Sequence, residues 1–262
     1  MCTILYLYRV HPEFPLIVAA NRDEYYARPA RPPGVLGAAP RVLAGQDLRA
    51  GGTWMGANEH GLFVGLTNQR SFRAPDPDAP SRGEVVRRAL EARDVEQVIG
   101  QLRALEPRRY NPFNLLFGHA QRLMAAYVRP DQHRVEIEEA PEGVAVLPND
   151  RIGARGFPKA ERAIRMADRL AGEAWPSLAR RLATVLADHE LADPAALPTP
   201  PAGSSFTRER LHQHSAICTH TERYGTCSAS LIALTAGRVH SYLYADGPPC
   251  RARFEEHVQL LG

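Results

Sequence analysis

A cysteine at position 2 begins a β-rich run, Thr3 to Tyr8, which breaks at His11-Pro12-Glu13 and resumes as the apolar stretch Pro15 to Ala20. Strand, turn, strand is a hairpin, and a hairpin returns the chain to its own start. Asn21, Arg22 and Asp23 are thereby expected close to Cys2. Removal of Met1, usual before a residue as small as Cys, would leave a thiol and a free α-amine on one carbon. A thiol is a weak nucleophile at its free pKa of about 8.5, whereas an amine of pKa about 7.7 to 8.0 beside it accepts the proton near neutrality. Nucleophile and base then share a residue, and no histidine is required. Arg22 would favour the thiolate and Asp23 would orient the ammonium. Each feature alone has a plainer reading, a small buried hydrophobe for Cys2 and a solvated or capping turn for Asn-Arg-Asp-Glu. Their joint occurrence favours the chemical one.

The rest of the chain supplies strands early and late and helices in two blocks. Residues 27–40 are crowded with Pro, Arg, Gly and Ala and read as a loop, a candidate wall for a pocket at the hairpin's open end. Gly51 to Gly56 and Gly61 to Asn68 read as a hairpin turning at Asn58-Glu59-His60-Gly61. Asn68 ends it, where a side-chain amide can either donate to a developing oxyanion or cap the turn that follows. Ser81-Arg82-Gly83-Glu84 has capping-box spacing ahead of a helix, and a second helix from Asp94 places Val95, Val98, Ile99 and Leu102 on one stripe.

Strand-like runs at 111–118, 121–129 and 134–138 suggest a meander, with Asn114 inside an apolar strand where its amide must be satisfied, structurally or by a ligand. Val144 to Leu147 leads into Pro148-Asn149-Asp150, where Asn149 reads first as a turn residue. Two amphipathic helices follow, from about Pro158 and around Leu178 to Leu186, then a Pro-rich connection over 192–205. Ser215 to His220, Gly225 to Leu234 and Arg238 to Tyr244 close the chain as strands, with Tyr224-Gly225-Thr226 at a turn. On alternating strand positions His212, His214, Cys218 and His220 would share a face, but they match no known metal spacing, and no metal site is assigned.

Composition excludes several classes. The 32 basic residues against 29 acidic ones leave a net charge of +3, and every basic residue but Lys159 is Arg, interleaved with acids throughout. No basic stripe tracks phosphates, so no nucleic-acid partner is expected. The four cysteines show no C-x-x-C spacing and suggest neither a zinc site nor a secreted disulfide scaffold. No run of some 18 apolar residues offers a transmembrane segment, and the chain reads as cytoplasmic. Its 262 residues suit one large domain, with no linker separating halves.

Motifs spread over most of the length carry a family resemblance. Cys2-Thr3, Ala20-Asn21-Arg22-Asp23-Glu24, Gly51-Gly52-Thr53-Trp54-Met55-Gly56, Gly65-Leu66-Thr67-Asn68, Tyr110-Asn111-Pro112-Phe113-Asn114-Leu115, and Ser215-Ala216-Ile217-Cys218 through Tyr224-Gly225-Thr226 occur in order. The chain resembles the NRDE family, also called the Transport and Golgi organisation protein 2 family, whose fold is similar to the N-terminal nucleophile hydrolases. The resemblance implies an α+β fold, a four-layer αββα sandwich over residues 1–262, with Cys2 emerging on an inner strand.

By the same resemblance the expected activity is hydrolysis, or acyl transfer, of a non-peptide amide or thioester. Cys2, Arg22, Asp23, Asn68 and Asn149 are its catalytic candidates, and Asn21, Trp54 and Asn114 its binding candidates. Asn68 and Asn149 correspond to asparagines that polarise the reacting carbonyl in choloylglycine hydrolase-type enzymes. No cofactor is required. The alternative is a carrier for haem or for acyl-CoA and lipid without catalysis, the roles linked to this family. The sequence departs at Cys227, where relatives commonly carry Arg after Gly-Thr, which shifts thiolate stabilisation onto Arg22.

Overall fold

The computed structural model describes residues 3–170, 172–175, 177–204 and 206–262. Strands β1 (Thr3–Tyr8), β2 (Leu16–Tyr25), β3 (Ala30–Val35), β4 (Val42–Asp47), β5 (Met55–Asn58) and β6 (Phe63–Asn68) precede helices α1 (Arg82–Leu90) and α2 (Val95–Arg103). Strands β7 (Phe113–His119), β8 (Arg122–Val128), β9 (Glu136–Glu139) and β10 (Gly143–Leu147) lead to helices α3 (Pro158–Ala167), α4 (Ser177–Leu186) and α5 (Arg208–Gln213). The chain ends with β11 (Tyr224–Thr235), β12 (Arg238–Ala245) and β13 (Phe254–Glu256).

The opening hairpin forms because its turn is wired from within. Buried His11 accepts the Glu13 and Phe14 amides at Nδ1, both at 3.1 Å, so its proton sits on Nε2 and is donated to the Glu173 carbonyl at 2.9 Å. The β1–β2 register then sets Thr3 opposite Asn21 and Tyr8 opposite Leu16. The six-stranded sheet runs β10-β1-β2-β11-β12-β13, and the seven-stranded sheet is the meander β3 to β9 in sequence order; every pairing is antiparallel.

Strand alternation sorts the side chains into layers. Even-numbered Ile4, Tyr6, Leu16 and Val18 meet Leu43, Met55, Phe63 and Leu116 of the other sheet in a central core. Odd-numbered Leu5, Leu7, Ile17 and Ala19 pack on α3 and α4, while Val64, Leu115 and Phe117 pack on α1 and α2. The order is helix, sheet, sheet, helix, the αββα sandwich that the family resemblance implies. Each fully buried Leu, Ile or Phe in these layers contributes about 1.5–3 kcal/mol of transfer free energy.

Four local expectations are corrected. Residues 30–35 form the edge strand β3 in place of a loop; Pro32 and Pro33 fall where the register jumps between Arg31 and Gly34, a position at which no ladder donor is needed. Ser81 stands at the start of α1 without a side-chain cap, and the Glu84 carboxylate that would complete the box pairs with Arg87 at 2.7 Å and Arg88 at 3.0 Å, whereas Asp94 does cap α2 through Gln97 N at 2.9 Å. Residues 215–220 are irregular apart from one bridge of His220 to Gly225, and His212 and His214 lie at the end of α5, so the shared strand face expected for the histidines and Cys218 does not exist. Tyr224-Gly225-Thr226 opens β11 and is not a turn.

Candidate functional site

The open end of the hairpin is where strands β1, β2 and β11 lie side by side. Cys2 lies outside the described residues; the next residue, Thr3, faces Asn21, and on the far side of β2, Thr226 faces Asp23 and Ser228 faces Arg22. The register jumps at Cys227, which bulges between those two pairs. Alternation sends Arg22 and Asp23 to opposite faces of the sheet, so the two residues grouped by sequence act on different sides of the hairpin.

Arg22 points between the sheets. It is 7% exposed, its guanidinium lies over the Trp54 ring at 4.6 Å, and it has no carboxylate partner among the described residues. With Ile4, Ala20, Trp54, Ser228 and Ser230 it lines a cavity of ≈ 10 Å³, room for about one water. Trp54 can lie there because Gly45 has no side chain: a Cβ at that position would overlap the indole ring. No residue of the 27–40 segment lines this cavity.

Asp23 points toward the helices and is buried. It accepts the Thr226 hydroxyl at 2.7 Å and pairs with Lys159 Nζ at 3.4 Å, while its backbone carbonyl accepts the Tyr224 hydroxyl at 2.9 Å. Lys159, the single lysine of the chain, is itself 5% exposed at the start of α3. Asn21 shares this face: its Nδ2 donates to the Leu186 and Ile217 carbonyls at 2.9 and 3.0 Å, and its Oδ1, like Thr3 Oγ1 across the register pair, has no partner among the described residues.

His214 stacks on Tyr224 with ring centroids 4.7 Å apart. Burial, reinforced by Arg210 and Lys159, lowers its pKa to about 3. The folded protein therefore keeps this imidazole neutral while the unfolded chain protonates it near pH 6.5, at the ordinary histidine value of about 6.5. Stability present above that pH falls as the pH drops from about 6.5 toward 3, because the unfolded state binds the extra proton. His214→Phe is expected to shallow this loss, read as a smaller difference between urea midpoints at about pH 7.5 and about pH 4.5 than in the parent. An identical difference in both proteins would contradict the assignment.

The asparagines proposed for carbonyl polarisation sit together where the two sheets are clasped. Asn149, 1% exposed, donates Nδ2 to the Asn68 carbonyl at 2.7 Å, leaving its Oδ1 without a partner among the described residues. The Asn68 side chain is exposed at the end of β6, two residues beyond Leu66 of the cavity wall. Asn114 is used up in the same clasp: Nδ2 donates to Thr67 Oγ1 at 2.9 Å and to the Pro148 carbonyl at 3.4 Å, and Oδ1 accepts Arg129 at 2.6 Å. Both Nδ2 hydrogens are thereby committed, so this buried amide has no donor left for a ligand.

At the bulge, burial raises the Cys227 pKa while Arg22 lowers it in part, and the thiol contacts the Glu24 and Gly225 carbonyls, each at 3.5 Å. Sequence reasoning missed Ser228 altogether and gave no site role to Lys159, noted only as the single lysine, to His214, weighed only as a metal ligand, or to Thr226, present only in a family motif.

The family profile described as Transport and Golgi organisation 2 matches residues 1–243. The chain belongs to the Transport and Golgi organisation 2 family. A relative, the Transport and Golgi organization protein 2 homolog of Bos taurus, is 30% identical over 259 residues, covering 90% of this chain and 89% of its own. Among solved structures, a mutant conjugated bile acid hydrolase from Clostridium perfringens superposes with a TM-score of 0.58 at 12% identity, covering 100% of this chain and 94% of that one. Penicillin V acylase from Agrobacterium tumefaciens gives 0.52 at 14% identity, covering 94% and 83%. The fold is that of the N-terminal nucleophile hydrolases; at such identities the likeness speaks for the fold alone.

Proposed function

We propose that this family member is a cysteine N-terminal nucleophile hydrolase or acyltransferase acting on a non-peptide amide or thioester. The observation that carries the reading is Arg22, a buried guanidinium whose Cζ lies 4.6 Å from the Trp54 ring centroid and which has no carboxylate partner among the described residues. A cation so placed attracts an anion, and a thiolate on Cys2, one peptide bond before Thr3, is the anion the sequence offers. The names of the solved relatives, a bile acid hydrolase and a penicillin acylase, agree with amide chemistry on this fold.

In this mechanism Met1 is removed, and the Cys2 α-amine takes the thiol proton as Sγ bonds to the substrate carbonyl carbon. The amine returns that proton to the leaving nitrogen or sulfur as its bond to carbon breaks, giving an acyl-thioester on Cys2. Water, or an acceptor nucleophile, then attacks the thioester and regenerates the thiol. Unpartnered Asn21 Oδ1 and Thr3 Oγ1 are the acceptors available to an ammonium at the start of β1, and Asp23 braces β2 against β11. Asn68 and the second Nδ2 hydrogen of Asn149 supply the side-chain donors for the oxyanion. A carrier that encloses haem or long-chain acyl-CoA between the sheets would need hundreds of cubic ångströms; the cavity of ≈ 10 Å³ favours attack on a carbonyl presented at its mouth.

Turnover of N-acyl amides and acyl thioesters by the processed protein should fall by at least about a thousandfold in Cys2→Ala, since removing a nucleophile leaves only binding and oxyanion contributions. Equal turnover by parent and variant would overturn the proposal.

A further inference from the structure

Behind Asp23, three segments distant in sequence bring together two cysteines and two histidines that the site described above does not use. His189 follows α4, Cys218 and His220 lie between α5 and β11, and Cys250 is in the loop between β12 and β13. Their potential ligand atoms all lie within 4.8 Å of one another. Cys218 Sγ is 3.8 Å from Cys250 Sγ and 3.6 Å from His220 Nε2, and His220 Nε2 is 3.3 Å from Cys250 Sγ.

These separations have a geometric meaning. Ligands about 2.3 Å (S) and about 2.0–2.1 Å (N) from a tetrahedral Zn²⁺ stand about 3.3–3.8 Å from each other. Three of the four residues already hold such a triangle, and the remaining separations, all to His189 and none above 4.8 Å, need to close by at most about 1.5 Å. His189 is also prepared on its other side. Its Nδ1 lies 3.0 Å from the Cys218 carbonyl, and a proton donated there leaves Nε2 with the lone pair, the arrangement by which backbone carbonyls orient zinc-binding imidazoles.

We propose that His189, Cys218, His220 and Cys250 form a structural Zn²⁺ site. Two soft thiolates and two imidazoles select zinc over magnesium or calcium, and four protein ligands leave no position open for substrate. The metal's mechanical effect would reach the candidate active site through the segment it pins. The Ile217 carbonyl holds Asn21, and Thr219 N donates at 3.0 Å to the Thr226 hydroxyl that holds Asp23. The site stands independently of any reactivity of Cys2.

The test uses the reduced full chain, with metal content by mass spectrometry, Co²⁺ substitution followed by absorption, and melting with and without chelator. About one Zn²⁺ per chain is expected, with the d–d and thiolate-to-cobalt bands of a tetrahedral site, and a lower melting temperature after chelation. Cys250→Ser, on an exposed loop, and His220→Asn should each weaken Zn²⁺ at least about tenfold and abolish the tetrahedral Co²⁺ spectrum. Zinc bound equally well by both variants would overturn the proposal as adventitious binding. So would a parent that binds no stoichiometric metal with both thiols free, or one isolated without oxidant carrying a Cys218–Cys250 disulfide.

Discussion

Arg22→Leu will slow alkylation of Cys2 at neutral pH by at least about tenfold while leaving the fold as stable or more so. An opposite charge within reach lowers a thiol pKa by about one to three units, and each unit is a tenfold change in thiolate once the pKa lies above the working pH. The stability side runs the other way: a buried cation without a carboxylate partner carries an uncompensated desolvation cost, which leucine removes while still covering Trp54. Opposite signs in the two readouts separate electrostatic tuning from scaffolding. Arg22→Lys keeps the charge but replaces the guanidinium over the indole with a compact, strongly hydrated ammonium and should fall between. Alkylation rates unchanged in Arg22→Leu would contradict the role given to this residue.

Lys159→Met will destabilise the protein by about 3–5 kcal/mol, because it removes the cationic member of a buried ion pair with the Asp23 carboxylate in the layer between the first sheet and α3. Asp23→Asn with Lys159→Met should recover most of that loss, since two neutral groups of similar shape need no counter-charge. The comparison is a double-mutant cycle in urea. Two single variants that each cost under about 1 kcal/mol and add in the double would show that the pair is solvated and holds nothing in place.

The elements that were legible in sequence are those whose signal is local. The β1–β2 hairpin carries its own turn in His11-Pro12-Glu13, α2 carries its cap in Asp94, and the meander through β7, β8 and β9 carries alternation and turns. What was not legible depends on distant chain. Pro32 and Pro33 read as loop because their tolerance comes from lying on a sheet edge. Residues 215–220 look like a strand by composition, yet Cys218 N bonds to the Asp188 carbonyl and Thr219 N to the Thr226 hydroxyl, so the segment has no ladder to join.

Within the candidate site the grouping Asn21-Arg22-Asp23 was visible, but not its division between two faces, which follows from a register only the folded pair of strands defines. Lys159, His214 and Cys250 were invisible as participants for the same reason. Nothing near them in sequence says what they meet.

Cys2, freed of Met1, is proposed as a nucleophile whose thiolate Arg22 favours. Intact mass of the purified protein before and after a thiol-directed acylating probe, with peptide mapping of the modified residue, tests it most directly. Loss of Met1 and selective acylation of Cys2 ahead of Cys218, Cys227 and Cys250, diminished in Arg22→Leu, are expected. Retained Met1 with an inert Cys2 would contradict it.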